Sequence, residues 1–531
     1  MTDTTIQKPS PGILSFPVAA SSGLAFVLAF PTFDQAWLAP VALLPLLWVA
    51  ARERSAWRRF WSGQVAGSVF FAGSCYWVYP VQREFGGLGI AEAAFIYFLF
   101  FSVLGIYWGL FCWLAGRLWQ LRWRIWWGPA AIPLLWVGIE YARTYLLTGF
   151  PWLLSGYLLT NYFSLARLAR WTGVYGLSYL VAMVPVAILW VIMRPGFQPV
   201  LRHGLQTGRA ALAHLAIVSI TLLVLAYYPA GSPQWREDQG ALLVQTQIPQ
   251  QVAFQRWDSE SQAALLGRLE ELTVGGMSGE EHPVLVVWPE MPAPFYYYDD
   301  GFTRPFLERI ARRTQSHFLT GIVNYSPGSD HQEPLNSALL LSPTGDVVSR
   351  YDKIHLVPFG EYVPLRRWAR FAERLTAEVS DFSAGSELVV SPLPGGRMAA
   401  FVCYEAIFPN QVRQFVKGGA QVLVNISNDG WFGSSSARYQ NLLMARMRAI
   451  ENARYLLRTT NTGITALIRP DGTLADRLPP DQPGVLKARW SFEDQKTFYS
   501  EHGDWFAITA TALAAWALFW TLGMLRPPGA L

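Results

Sequence analysis

Cysteine and histidine are scarce in this sequence of 531 residues, which holds three cysteines and seven histidines. Cys75, Cys112 and Cys403 are too few and too scattered for a disulfide framework or a zinc site. Cys75 and Cys112 lie in apolar runs, so we expect them to be packing residues. No metal-binding motif occurs, and we expect no metal and no other cofactor.

Charge is also sparse, because charged residues make up 15% of the chain against 52% hydrophobic residues. This balance excludes a disordered chain. Residues 1–230 carry 15 Lys and Arg against 6 Asp and Glu, whereas residues 231–500 carry 26 against 29. The net charge of +5 therefore comes from the first part. This excess of positive charge lies in the apolar part of the chain and does not indicate a basic groove for nucleic acid, so we expect no nucleic-acid partner.

Long apolar runs fill the first 230 residues and return near residue 505. A hydrocarbon core of about 30 Å takes about 20 helical residues, so these runs predict a polytopic bundle of about eight spans. The first run could instead be a signal peptide, but six more runs follow it, which favours an uncleaved anchor. The predicted spans are approximately residues 13–30, 35–51, 65–81, 88–116, 126–147, 174–193, 210–229 and 505–525.

Arginines are concentrated in alternate loops between the predicted spans. Loops 52–62, 117–125 and 194–209 each hold three or four arginines, while the intervening loops hold two at most. Basic residues are retained on the cytoplasmic side. Both termini are therefore predicted to be cytoplasmic and segment 231–500 to lie outside, in the periplasm of a bacterium with two membranes.

Tryptophan and tyrosine are frequent, with 24 and 22 copies, and many lie near span ends. An interfacial aromatic belt explains them, and the lining of a lipid access route is the alternative. Glu140 and Arg143 lie three residues apart near the outer end of a predicted span and can pair on one helix face. A functional pair and a structural neutralisation both remain open.

The periodicity changes after residue 240. Short apolar or β-branched runs indicate strands buried on both faces. Amphipathic helical patterns at 259–272, 304–315 and 439–452 lie among them. Turn sequences at 343–346 and 470–472 join strand pairs. We expect an extramembrane layered α/β sandwich. The predicted strands are residues 241–247, 284–288, 318–324, 337–341, 398–403, 422–426, 455–460 and 463–468.

Three residues at strand ends could form one site. Cys403 closes MAAFVC, Glu290 closes VLVVWPE, and Lys353 follows VVSRYD. Taken singly, they could be a small core residue, a helix cap or surface acid, and a solvated lysine. Together they supply a base, a thiol nucleophile and a cation for an oxyanion, as acyl transfer requires. Among the histidines, only His355 could compete.

The sequence around these residues resembles the carbon–nitrogen hydrolase (nitrilase) superfamily, whose catalytic set is Glu-Lys-Cys. The resemblance is carried by VVWPEMP, RYDKIHLVPFGEYVP, FVCYEAIFP, VNISNDGWFG and RAIENARYLLRTTNTGITA. With the predicted spans, the whole chain is similar to the apolipoprotein N-acyltransferase family of the bacterial inner membrane. The implied division is a membrane domain in 1–230, a periplasmic nitrilase-like α-β-β-α sandwich in 231–500, and a final span with a cytoplasmic C-terminus in 501–531.

The resemblance implies roles for the three residues. Glu290 is expected to be the general base and Cys403 the nucleophile that carries a fatty acyl group as a thioester. Lys353 and the backbone N–H of Tyr404 are expected to stabilise the oxyanion.

It also implies supporting residues. Glu361 and Glu405 match further acids of the family and could position Lys353 or tune its charge, although an ordinary salt bridge is the simpler explanation. Trp257 and Trp431 are expected to face the substrate, and packing is their alternative role.

The resemblance also implies that both substrates of the thiol reaction come from the membrane. The expected acyl donor is a phospholipid, with phosphatidylethanolamine as the specific expectation, and the acceptor is the N-terminal amine of a diacylated apolipoprotein. Both substrates are held in the membrane bilayer and would use one site in turn by a ping-pong mechanism. Aromatic loops near 291–298 and 357–364 are candidate lids that exclude water.

Two other functions remain open at this point. A membrane-tethered amidase or nitrilase could hydrolyse a small amide with the same triad. A transporter with a binding domain is disfavoured, because the predicted spans hold few charged residues.

Overall fold

The computed structural model describes most of the chain, and every structural statement below concerns the residues that it describes. Trp257 and the predicted span 210–229 lie outside them, as do parts of both candidate lids. The described residues are 11–120, 129–193, 235–249, 259–277, 282–292, 295–298, 301–325, 334–358, 360–362 and 382–524.

The N-terminal region is helical. Three of its helices, Gly12–Ala29, Ile90–Gln120 and Val174–Ile192, are long and apolar enough to cross a membrane, and shorter apolar segments span Ala36–Arg52 and Trp505–Thr521. The helices of this region are Ser15–Ala29, Ala39–Ala42, Leu44–Arg52, Ala56–Ser74, Val78–Glu84, Ile90–Gln120, Ala131–Tyr145, Phe163–Ala166, Ala169–Thr172 and Val174–Ile192, with 3₁₀ turns at Gly12–Leu14, Ala36–Leu38, Leu146–Thr148 and Ser155–Leu159. Two further helices, Phe498–His502 and Trp505–Met524, come after the strands of the second half of the sequence.

Two predicted spans differ from the observed helices for local reasons. The run 35–51 is divided into short helices that carry proline at their first turns, where its missing N–H costs nothing. The run 65–81 is divided between the helix Ala56–Ser74, which begins nine residues earlier, and the helix Val78–Glu84. Ser55 caps the helix Ala56–Ser74 by accepting a hydrogen bond from the N–H of Arg58, so this arginine lies in a helix and not in a loop.

Small residues allow the helices Ala56–Ser74 and Ile90–Gln120 to approach closely. A Cβ added at Gly63 would lie 2.3 Å from the carbonyl oxygen of Trp108 and 2.7 Å from the Cβ of Cys112. Backbone contact through small residues is the usual way that helices associate in lipid. Cys112 is buried, as expected of a packing residue.

The first of two six-stranded sheets contains three parallel strands with antiparallel neighbours. The strand order is β12-β1-β2-β3-β4-β5, and β1, β2 and β3 are the parallel ones. Its strands are β1 Gln239–Gln245, β2 Leu285–Val287, β3 His317–Tyr325, β4 Pro334–Leu341, β5 Val347–Asp352 and β12 Gly484–Trp490.

The second sheet has the same pattern. Its order is β11-β10-β9-β8-β7-β6, and β7, β8 and β9 are parallel. Its strands are β6 Ser391–Leu393, β7 Gly396–Val402, β8 Val422–Ser427, β9 Leu456–Thr460, β10 Ala466–Ile468 and β11 Leu474–Arg477.

Buried apolar side chains from both sheets form one cluster, with Leu243 and Ala338 from the first sheet and Phe401 and Val424 from the second. Helices pack against the sheets as well, and their apolar side chains bury further apolar side chains of each sheet. These helices are Ser259–Gly276, Thr303–Thr314, Pro409–Lys417 and Ala437–Asn452.

Glu290 follows the parallel strand β2 and Cys403 follows the parallel strand β7. Lys353 follows β5, which runs in the same direction as β3 because both pair antiparallel with β4.

Candidate active site

Glu290 lies three residues beyond β2, in a carboxylate site built by hydrogen-bond donors. Its side chain is buried. Oε2 accepts the N–H of Asn428 at 2.8 Å, and Oε1 accepts the side-chain amide of Asn336 at 2.8 Å. The neighbouring strand β3 contributes Gly321, where an added Cβ would lie 2.4 Å from the nitrogen of Met291. Glycine at this position therefore allows the backbone that carries Glu290 to pass close by.

Lys353 follows β5 directly and is fully buried. Its N–H donates to the carbonyl of Asn336 at 2.8 Å, which fixes the point where the chain leaves the sheet. Its Nζ lies 2.9 Å from Oε1 of Glu361 and 3.3 Å from Oε1 of Glu290. One ammonium group is therefore shared by two buried carboxylates.

Asn336 was not anticipated from the sequence. It lies inside the apolar strand β4, is completely buried, and donates to Glu361 at 2.9 Å as well as to Glu290. A lone asparagine within PLNSALLL is the signal that could have identified it, because a buried amide needs partners.

Cys403 begins a 3₁₀ turn, Cys403–Ile407, immediately after β7 ends at Val402. We expected it to close the strand. Its φ is instead +50°, in the left-handed region that side chains rarely occupy. Strained backbone of this kind persists where the surrounding structure enforces it, and it is concentrated at functional sites. Cys403 is 5% exposed.

Glu405 enforces this turn and does not contact the ammonium of Lys353. Its Oε2 accepts the N–H of Val402 at 2.7 Å. Its Oε1 accepts the N–H groups of Ile354 at 2.8 Å and His355 at 3.1 Å, directly after the lysine. The carboxylate therefore joins the two backbone segments that present the thiol and the ammonium. Its remaining donors are the hydroxyl of Tyr351 and the amide of Gln411, both at 2.7 Å.

Burial dominates the electrostatics of the three residues. It raises the pKa of the Cys403 thiol, which the carboxylate of Glu290 raises further and Lys353 partly lowers. It also raises the pKa of Glu290, while Lys353 and hydrogen bonds from Asn336 and Cys403 act to lower it. For Lys353, burial lowers the pKa, but Glu361 and Glu290 reverse this and leave it above its usual value. Burial therefore favours the protonated thiol of Cys403, and the two carboxylates favour the ammonium form of Lys353.

Ser427 and Asp429 lie beneath the site at the end of β8. Ser427 donates to Asp429 at 2.8 Å, and a hydrogen bond from Ser427 lowers the pKa of Cys403. Asp429 forms a completely buried ion pair with Arg458 at 2.8 Å. The second sheet thereby places polar and charged side chains next to the thiol of Cys403.

The other sequence-predicted residues have defined positions. Tyr404 is buried and its ring contacts Phe408 at 5.3 Å between centroids. Trp431 lies in the 3₁₀ turn Asp429–Phe432 and contacts the ring of Phe85 at 5.0 Å.

His355 is directed away from the triad. Its Nδ1 lies 2.6 Å from Oε1 of Gln411, and its ring stacks on Phe408. Within the described part of the chain, no group of three His, Cys, Asp or Glu side chains could hold a metal ion.

Glu140 and Arg143 are both buried and bind the connection that follows their helix. Arg143 donates to the carbonyls of Phe150 and Trp152, each at 2.7 Å. Glu140 accepts the N–H of Ser155 at 2.7 Å. These contacts support the structural alternative for the two residues.

Comparisons with known proteins cover nearly the whole chain. Residues 243–497 match the carbon-nitrogen hydrolase family model, and residues 22–187 match the model of the apolipoprotein N-acyltransferase N-terminal domain. An apolipoprotein N-acyltransferase of Geobacter metallireducens is 34% identical over 498 residues, covering 94% of this chain and 93% of the relative. One of Vibrio parahaemolyticus is 29% identical over 534 residues, covering 95% and 97%. Among solved structures, an amidase from Nesterenkonia sp. matches with 18% identity and a TM-score of 0.37, over 49% of this chain and 92% of the amidase.

Proposed function

Because the chain belongs to the apolipoprotein N-acyltransferase family and is an enzyme of that family, we propose that it moves a fatty acyl group from a phospholipid, through a thioester on Cys403, to an apolipoprotein. The acceptor is the N-terminal amine of a diacylglyceryl-cysteine, and the donor is phosphatidylethanolamine. The observation that carries this proposal is the burial of Cys403, Glu290 and Lys353 in one hydrogen-bonded cluster.

The first half-reaction forms the thioester. Glu290 takes the proton of the Cys403 thiol as the sulfur attacks the ester carbonyl of the phospholipid. Lys353 and the N–H of Tyr404 stabilise the oxyanion. The tetrahedral intermediate then expels the glycerol oxygen, which receives the proton from Glu290. A lysophospholipid leaves, and the acyl group stays on sulfur.

The second half-reaction uses the same groups. The acceptor amine attacks the thioester and gives a proton to Glu290, while Lys353 again stabilises the oxyanion. The carbon–sulfur bond breaks, the thiolate of Cys403 regains a proton from Glu290, and the N-acylated product leaves.

Exclusion of water favours the amine over hydrolysis. Cys403 is 5% exposed, and Tyr404 belongs to an apolar cluster whose other members come largely from the N-terminal helices. A site covered from the membrane side admits a lipid-borne amine more readily than bulk water. We assign the same role to the loops 291–298 and 357–364, and propose that Trp257 and Trp431 face the substrate.

The proposed placement follows the sequence expectations. Eight spans divide into a membrane domain of residues 1–230 and a last span in 501–531, with both termini in the cytoplasm. Residues 231–500 form a periplasmic α-β-β-α sandwich. The arginine distribution and the apolar helices support this arrangement.

Trapping the acyl-enzyme tests the proposal. Purified protein is mixed with phosphatidylethanolamine that carries a labelled acyl chain, without an acceptor, and its peptides are analysed by mass spectrometry. We expect the label on the peptide that contains Cys403, and its loss in Cys403→Ala. The control Cys112→Ala should retain it. If no label is trapped while a small amide is hydrolysed by the same protein, the amidase alternative is correct.

A further inference from the structure

Gln440 joins the extramembrane part to three connections of the helical region, and its side chain is completely buried. Oε1 accepts the indole N–H of Trp152 at 2.8 Å and that of Trp77 at 3.3 Å. Nε2 donates to the carbonyls of Ser74 at 2.9 Å and Pro31 at 3.1 Å, and to the hydroxyl oxygen of Ser436 at 3.1 Å. Pro31 follows the helix Ser15–Ala29, Ser74 is the last residue of the helix Ala56–Ser74, and Trp152 follows the helix Ala131–Tyr145.

The partners define the orientation of this amide. An indole nitrogen can only donate and a backbone carbonyl can only accept, so the oxygen of Gln440 must face the indoles and its nitrogen the carbonyls. Both lone pairs of the oxygen and both N–H groups are then used. Glutamate would lack the donors, and leucine would lack donors and acceptors alike.

The indoles that Gln440 holds also support the neighbouring loop. The rings of Trp77 and Trp152 lie 5.1 Å apart, and Phe432 contacts them at 4.9 Å and 5.9 Å. We call Trp77, Trp152 and Phe432 the ring cluster. Phe432 directly follows Trp431.

The ring cluster is connected to both the triad and a candidate membrane span. On one side, Asn428, four residues before Phe432, donates its N–H to Glu290. On the other side, Phe150 stacks on Trp152 at 6.0 Å and contacts Phe100 of the long apolar helix at 5.4 Å. Rings therefore continue from a helix that can cross a membrane to the loop that orders the general base.

We propose that Gln440 is a positioning residue for the lipid-borne acyl donor. By holding both indoles and two outer carbonyls, it fixes the ring cluster relative to the triad, so that a long acyl chain leaving the bilayer is aligned with Cys403. A short donor that arrives from water does not depend on this alignment. The inference rests on the proposed function, because it requires a phospholipid donor.

Donor selectivity tests this role. Gln440→Leu removes all five hydrogen bonds of this side chain with little change in volume and leaves buried polar groups unpaired. Acylation of Cys403 is measured with two donors, a phosphatidylethanolamine with long acyl chains in mixed micelles and a water-soluble butyryl thioester. We expect the rate with the phospholipid to fall by about tenfold or more, and the rate with the thioester to stay within about twofold of wild type.

The matched control is Gln421→Leu. Gln421 is also a glutamine with side-chain hydrogen bonds, to the N–H of Arg397 and to Asp494, but both partners lie in the extramembrane part. Both donors should react with this variant as with wild type. Trp152→Phe, which deletes one indole N–H and keeps a ring, should lower the phospholipid rate alone, by a smaller factor.

Several outcomes would overturn the inference. Equal losses with both donors would show that Gln440 only stabilises the fold, and unchanged rates would show that the alignment is irrelevant. If Gln440→Leu does not fold, the inference is tested with Trp152→Phe, by comparing its acylation rates with the phospholipid and with the butyryl thioester. A wild-type protein that accepts butyryl groups but none from phospholipid would instead refute the proposed function.

Discussion

Lys353 lies closer to Glu361 than to the proposed base, with its Nζ 2.9 Å from Oε1 of Glu361. The pair is buried, so the interaction is little screened by water. Glu361 also accepts the N–H of Val357 at 2.8 Å, which holds the carboxylate in place. The nearer acid therefore stabilises the ammonium form of Lys353 more than Glu290 does.

Glu361→Gln should impair the oxyanion site. Burial alone lowers the pKa of Lys353, and Glu361 is the larger of the two carboxylate effects that raise it. Without this acid the lysine loses its proton at a lower pH, so the alkaline limb of the acylation rate should move to lower pH. The rate at neutral pH should fall by about a hundredfold. Glu308→Gln, at a surface ion pair, is the control, and an unmoved alkaline limb would contradict the assignment.

Asn336→Leu should shift the acidic limb of the pH profile of the acylation rate. The amide hydrogen bond lowers the pKa of Glu290, which burial raises. Glu290 must be ionised to act as a base, so removing the donor raises its pKa and moves the acidic limb to higher pH. A hydrogen bond to a charged group corresponds to about one to two pH units. Asn161→Leu, which removes an exposed contact to Arg446, should leave the limb unchanged.

Arg458→Met should destabilise the protein strongly. Arg458 and Asp429 are both fully buried, and the substitution leaves the carboxylate without its cation. Breaking a buried pair costs about 3–5 kcal/mol, whereas an exposed pair contributes about 1 kcal/mol or less. Arg309→Met, which removes an exposed partner of Glu270, is the comparison. Similar thermal unfolding midpoints for the two variants in detergent would refute the prediction.

Glu405→Gln should reduce acylation without a large loss of stability. The amide keeps the shape of the side chain but replaces one accepting oxygen with a donor that faces the N–H of Val402 or of Ile354. Because this carboxylate holds the strained turn of Cys403, we expect the acylation rate to fall by about a hundredfold, measured beside the thermal midpoint. The exposed Glu387→Gln should match wild type. Full activity in Glu405→Gln would mean that the turn needs no such anchor.

The sequence predicted the strands that read as continuous apolar runs and the residues that follow them. It did not predict β12, where Leu486, Ala488 and Trp490 are buried while Lys487 and Arg489 are exposed. This alternation is typical of an antiparallel edge strand with one solvent-exposed face. A search for continuous apolar runs does not detect such a strand.

The finer chemistry of the site depended on tertiary contacts. The left-handed conformation of Cys403 follows from the hydrogen bond between Glu405 and Val402, and no local sequence pattern specifies it. The separation of Glu361 and Glu405 into different tasks likewise required the fold, because both were matched only as acids near the triad. Asn336 was overlooked because a single polar residue does not interrupt an apolar strand pattern.

The pairing of β1 with β12 constrains how this protein is assembled during synthesis. Gln239 pairs with Trp490 and Gln245 with Gly484, so β1 receives this neighbour only after the chain has been synthesised through Trp490. Until then one side of β1 is an unpaired edge, which is a template for aberrant association. The apolar helix Trp505–Met524 follows β12 closely in the sequence, so this sheet cannot be completed until shortly before that helix is synthesised.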